Sequence, residues 1–269
     1  MSALWPVAQL DRERVWFELS EKVNSPAFDR IGASLNEINH LPLQVKSAPL
    51  MAFWFFLDSM RIANQANRDG MHANALIATR QCLEAISVIE VGLSSHEEAA
   101  TVLKRWDHDE ETPGGLRKWL SAHAWPAYGR GLWGESWAEF MGKLAKAVQP
   151  YAHYSSHLAQ WQTRLHMATT GDSEAAFQAI VEFSPRAYDA QKATRITLFH
   201  ALMTYTLSRV WLATRGHNDA EFAALIEELR VALGNSRYLD GHSTNWDQQF
   251  WPFVFFKSGS LTTFPVEET

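Results

Sequence analysis

Apolar positions recur with helical spacing along almost the whole chain up to residue 234, interrupted by prolines, glycines and capping residues. Asp11 to Val23 reads as a short amphipathic helix. Ser25-Pro26 supplies a cap and a first-turn proline for a second helix toward Asn39. Pro42 and Pro49 bracket a turn, and a long helix is expected from about Ser47 to Asp69, with Gly70 as its stop. Met71 to Gly92 follows, apolar on nearly every side. Ser95-x-x-Glu98 has the capping-box pattern for a short helix to Arg105, and Thr112-Pro113 opens another that ends before Pro126. Tyr128 to Gly134 is a Gly-rich loop. Helices are then expected over Glu135–Gln149 and, after a break at Pro150, over Tyr151–Thr169. A short helix starts at Asp172, the longest runs from Ser184-Pro185 to about Arg215, and the last lies between Asn218 and Gly234. From Asn235 the pattern changes. Gly, Asn, Asp and Thr punctuate WPFVFF, a strand-like composition suited to a strap or hairpin over apolar surface.

The expected fold is therefore all-α, a bundle of about ten helices. Residues 1–234 form a single elaborated helical-bundle domain, and 235–269 form an extended or hairpin C-terminal segment packed on it. Any strand is expected in that tail.

Two helices carry polar residues where apolar ones predominate. On Met71–Gly92, Arg80 and Glu84 lie about 40° apart on the helical wheel, among Leu76, Ile77, Leu83, Val88 and Val91. Charges in such surroundings require partners. A structural ion pair and a pocket wall are both open readings. On Tyr151–Thr169, the i, i+4, i+7, i+11 spacing puts His153, His157, Gln160 and Arg164 on one stripe. If the two helices face each other, Arg80, Glu84, His153 and His157 line one shared polar cavity. Two histidines at i, i+4 can also hold a metal, although no Glu-x-x-His partner on another helix completes a di-iron set.

Composition narrows the function classes. The 269 residues are 46% hydrophobic and carry net charge −6, so the molecule as a whole is no electrostatic trap for nucleic acid or anionic membrane. The single cysteine, Cys82, excludes an intrachain disulfide framework or a cysteine zinc finger. The greasiest run, Ala48 to Leu57, is half the length that spans a bilayer, and no secretory signal is readable. A cytoplasmic location is the expectation. No phosphate-binding loop, Gly-x-Gly-x-x-Gly, Gly-x-Ser-x-Gly or His-Glu-x-x-His pattern is present. From Ser184 to Gly216, five basic residues face one acidic residue; Lys192, Arg195 and Arg209 fall within about 100° on the wheel, a stripe that can hold phosphates or pair with acidic neighbours.

The segment ATRQCLEAISVIEVGL (Ala78–Leu93) resembles the Arg-x-x-x-Glu helix of the HEPN group of bacterial helical-bundle proteins, which includes abortive-infection and other phage-defence relatives. VQPYAHYSSHL (Val148–Leu158) is similar to the Tyr–Ser–His helix that faces it in that group. Together the two segments cover under a third of the chain. The resemblance implies a protein acting on RNA or a nucleotide, as a metal-independent ribonuclease in a defence or toxin module. Catalytic members carry an arginine and, a few residues later, a histidine, usually in a composite site across a homodimer. Arg195 and His200 match this spacing, as do Arg117 and His123. The first pair is the expected catalytic one: histidine moves the 2′-hydroxyl proton, arginine stabilises charge on the phosphate, and no cofactor is called for. Five helical residues leave that pair about 140° apart, so a bend or a second chain is needed. His200 can equally be a satisfied core histidine beside Phe199 and Leu202.

Three functional readings follow. The first is an HEPN-like protein acting on RNA or a nucleotide, with Arg195 and His200 catalytic and Arg80, Glu84, His153, His157 and Arg164 binding substrate. The second is a non-catalytic helical protein that binds a protein partner or small ligand. The third is a helical metalloenzyme built on His153 and His157.

Overall fold

The computed structural model describes residues 11–170, 177–184, 186, 188–236 and 238–239. Among them are nine α-helices: α1 (Asp11–Asn36), α2 (Leu43–Arg68), α3 (His72–Leu93), α4 (Ala99–Asp107), α5 (Pro113–His123), α6 (Trp137–Val148), α7 (Ser156–Ala159), α8 (Ala190–Thr214) and α9 (Ala220–Gly234). The helical bundle expected from periodicity is present, and no described helix is long and apolar enough to cross a membrane.

Helix α3 is the axis of the bundle. It packs most extensively on α2 and is further covered by α8, α5 and α4. Its apolar residues face inward on nearly all sides, with Leu76, Cys82, Ile86, Ile89 and Val91 fully buried. This burial pushes the Cys82 thiol up to about 12, which leaves it an inert core group. The α2–α3 hairpin packs closely because Gly92 leaves room for the ring of Pro49. At the hairpin turn a buried hydrogen-bond chain ties these helices to α8. The backbone N–H of Asp189 donates to His72 Nε2 (3.1 Å), so the ring proton sits on Nδ1 and is donated to Asn67 Oδ1 (2.9 Å). Asn67 Nδ2 in turn donates to the carbonyl of Ala193 (2.9 Å).

Several boundaries follow local chemistry. Thr112 caps α5 by accepting from Gly115 N–H (3.0 Å), with Pro113 in its first turn. Ser136, Asp189 and Asp219 cap α6, α8 and α9 in the same way. Gly129 and Gly134 adopt φ of +78° and +108° in the loop before α6, a region that side chains with a Cβ rarely enter.

Other boundaries depart from expectation. Pro26 does not open a new helix but lies inside α1, because Val23, Ala27 and Ile31 bury one continuous face across it. Pro49 likewise sits inside α2, which starts at Leu43 rather than Ser47. The capping box at Ser95 is not formed; Ser94 accepts the His96 N–H instead, and α4 begins at Ala99. Helix α8 starts six residues beyond Ser184.

The largest correction concerns Tyr151–Thr169. Instead of one helix, the chain makes a single 3-10 turn at Gln149–Tyr151, the four-residue α7, another 3-10 turn, and strand β1 (Thr163–Thr170). Strand β1 pairs antiparallel with β2 (Phe177–Phe183), from Thr163 opposite Phe183 to Thr170 opposite Phe177, with a bulge between Leu165 and Met167. The helix expected from Asp172 is therefore absent over β2, whose Phe-Gln-Ala-Ile-Val-Glu-Phe composition suits a strand. Strand structure is thus not confined to the tail. The tail itself, beyond Leu239, lies outside the described residues; just before it Ser236, Tyr238 and Leu239 fold back into the core.

Candidate functional site

Arg80 and Glu84, one turn apart on α3, form an ion pair between Nη1 and Oε1, with side chains only 12% and 26% exposed. The pairing expected from their positions is observed. The structure brings a third charge to them, Arg117 on α5. Its guanidinium is held below its ordinary value by burial, with Arg80 adding to that effect and Glu84 opposing it. Arg80 is therefore in direct contact with the carboxylate, and Arg117 lies within electrostatic reach of it without forming an ion pair among the described residues. Arg80 Nε and Arg117 Nη1 are shielded from solvent and have no hydrogen-bond partner among the described residues. Unpaired buried donors are uncommon and cost roughly 1–3 kcal/mol each, so this corner of α3 and α5 has unused capacity for an acceptor.

The histidine stripe expected opposite this pair is not formed, because no helix spans residues 151–169. His153 lies exposed in the irregular turn before α7, and no ion pair among the described residues links it to Glu84. The i, i+4 geometry needed for a shared metal or cavity wall is absent with the helix. The side chains of His157 and Arg164 lie outside the described residues. Among those described, no three His, Cys, Asp or Glu side chains are grouped to hold a metal.

Arg195 and His200 point to different neighbours. The Arg195 guanidinium lies 5.2 Å from the ring centre of Tyr238. His200 is buried and meets Thr79 on α3, with Nε2 2.8 Å from Oγ1. The Thr79 hydroxyl already donates to the Ala75 carbonyl (2.8 Å), so His200 is the donor and carries its proton on Nε2. Burial lowers its pKa to about 4, so the ring stays neutral at physiological pH and makes a poor proton carrier there. This is the core-histidine arrangement. The rest of the α8 basic stripe is also engaged by the protein. Lys192 Nζ donates to the Trp161 carbonyl (3.4 Å), and Arg209 donates to the Tyr128 carbonyl (2.8 Å) while lying over Trp137. The second Arg/His match diverges too. Arg117 is half-buried within electrostatic reach of Glu84 and Arg80, whereas His123 stacks on Trp119 (centroids 4.9 Å apart) beside His96 and Glu98 at the surface.

A further polar centre was not singled out from the sequence. Glu90, fully buried on α3, accepts a hydrogen bond from Trp125 Nε1 (2.8 Å). Burial raises its pKa to about 8, against smaller opposing effects from Trp125 and Tyr128. The Tyr128 hydroxyl is near enough to interact with this carboxyl, yet it and Glu90 Oε2 do not meet in hydrogen-bond geometry. The signal was available: Glu90 interrupts the same apolar run as Arg80 and Glu84.

Compared with models of known families, with curated proteins and with solved structures, the chain matches none of them.

Proposed function

We propose that this helical bundle is a non-catalytic ligand-binding protein that holds an anionic group, the phosphate of a nucleotide or of RNA, between Arg80 and Arg117. The observation that carries the reading is the pair of shielded guanidinium N–H donors left without acceptors beside a single carboxylate. A phosphate oxygen supplies the missing acceptors, and guanidinium groups bind phosphate in a bidentate manner that lysine cannot reproduce. The reading keeps the RNA or nucleotide expected from the HEPN resemblance. It assigns no proton transfer to His200, whose neutral, buried ring is committed to Thr79.

Titration of the full-length protein at low salt with inorganic phosphate, a mononucleotide and a short single-stranded RNA tests this. Saturable binding of at least one probe is expected, weakened at least tenfold by Arg117→Gln or Arg80→Gln. Glu84→Gln should tighten binding, because the carboxylate competes with the ligand for the same guanidinium groups. A purely structural network predicts instead that Glu84→Gln changes stability alone. Absence of binding, or binding indifferent to both arginines, overturns the proposal. RNA cleavage by the purified protein that disappears in His200→Ala would restore the ribonuclease reading.

A further inference from the structure

The corner between α3 and α5 holds two positive charges, Arg80 and Arg117, and one negative charge, Glu84, which leaves a net charge of +1. Among the described residues, Glu84 and Arg80 are the charges that act on Arg117. All three side chains are partly withdrawn from water: Arg117 is half-buried, and those of Arg80 and Glu84 are 12% and 26% exposed. In such a place attraction between site and ligand rises in proportion to the ligand's charge. The cost of stripping water from the ligand rises with the square of that charge. One negative charge leaves the filled site neutral. A second has no further cation to meet and lies near the Glu84 carboxylate.

The hydrogen-bond donors agree with the charges. Arg80 Nε and Arg117 Nη1 are shielded from solvent without acceptors, and a phosphodiester has two non-bridging oxygens to offer them. A phosphomonoester brings a third terminal oxygen. Among the described residues, α3 and α5 hold no other shielded cationic nitrogen without an acceptor, and an ionised Glu84 presents acceptors alone.

We propose that this site selects a singly charged phosphodiester, such as the linkage between two nucleotides or the ring of a cyclic nucleotide, over the doubly charged phosphate of a mononucleotide, and that Glu84 sets the preference. This selectivity rests on the anion-binding reading above, since without a bound phosphate there is nothing to select. Removing the Glu84 charge raises the site to +2, which doubles the attraction and takes away the nearest repelling group. The doubly charged ligand gains most from that change. Protonating the ligand has the same effect from the other side, because a phosphomonoester with its second pKa near 6 becomes singly charged at lower pH.

Adenosine 5′-monophosphate and its methyl ester share base, sugar and phosphorus, and at pH 7.5 they carry charges of about −2 and −1. Titrated calorimetrically into the full-length protein at low salt, the ester is expected to bind at least fivefold more tightly. Glu84→Gln should bring the two within about twofold. Glu228→Gln makes the same change in net charge at an exposed position on α9, which packs on α1 and α8, and should leave the preference intact. Thermal melting checks that each variant is folded. A second measurement needs no variant: at pH 5.5 the monophosphate is largely singly charged, and its affinity should approach that of the ester. Adenylyl-3′,5′-adenosine and cyclic adenosine monophosphate carry the diester in an open chain and in a ring, and the tighter of the two identifies its source. Equal or tighter binding of the monophosphate at pH 7.5 overturns the preference and leaves the anion site standing. A preference for the ester that persists in folded Glu84→Gln, or at pH 5.5, also overturns it, because the methyl group rather than the charge is then recognised. If no probe binds, the anion site itself fails, and the preference with it.

Discussion

Glu90→Gln isolates the energetic consequence of a carboxyl buried in the bundle. In the folded protein burial lifts the Glu90 pKa from an ordinary value of 4.5 to about 8, so near neutral pH the group is a neutral acid accepting from Trp125 Nε1. The sign follows from proton linkage. Below about pH 4.5 the carboxyl is protonated in both folded and unfolded chains. Between 4.5 and about 8 the folded protein retains a proton that the unfolded chain has released, so stability falls as pH rises. The slope is about 1.4 kcal/mol per pH unit, and the total loss by pH 8 is on the order of 5 kcal/mol. Glutamine has the same shape, retains an oxygen for Trp125 and cannot ionise. Urea unfolding followed by tryptophan fluorescence from pH 5 to pH 8.5 should therefore give similar midpoints for the two proteins at the acid end. At the alkaline end Glu90→Gln should be clearly the more stable. Parallel pH profiles for the two proteins would refute the reasoning, because they would mean that Glu90 ionises alike in the folded and unfolded chains.

The pKa of His200, lowered by burial to about 4, reverses the sign: the unfolded chain takes up a proton below about pH 6.5, so stability is complete above that value and falls by about 3 kcal/mol as pH drops to 4. Its imidazole NMR shifts should accordingly stay those of the neutral Nε2–H ring from pH 8 to pH 5, and a midpoint near 6.5 would contradict this. Gly92→Ala places a methyl group inside the van der Waals envelope of the Pro49 ring and should lower stability by roughly 1–3 kcal/mol, measured by the same urea titration. Thr112→Ala removes the acceptor for Gly115 N–H and should cost about 1 kcal/mol; an unchanged midpoint would show that water caps α5 equally well.

What the chain determines by itself is what depends on neighbours a few residues away. The run from Met71 to Gly92 is apolar on nearly every side, which calls for a helix covered over most of its circumference, and α3 is that helix, with Asn74 and Ile77 exposed. Thr112-Pro113 and Gly134 act through their own hydroxyl, ring and missing Cβ, and their turns and caps are where the pattern puts them. Arg80 and Glu84 were legible as a pair because i, i+4 spacing on a helix settles their proximity. The remainder rests on contacts between residues distant in sequence. Pro26 and Pro49 would break an isolated helix, yet both continue one, held by buried residues on either side and, for Pro49, by the space at Gly92. The stretch from Tyr151 shows helical periodicity, but its residues from Thr163 pair with Phe177–Phe183, whose strand composition was the overlooked counter-signal. That one change removes the polar stripe and the histidine pair built upon it. Arg117 comes within electrostatic reach of Glu84, and His200 meets Thr79, only because α5 and α8 pack on α3. A helical wheel orders side chains around their own axis; which groups meet at a buried site is decided by how the axes pack.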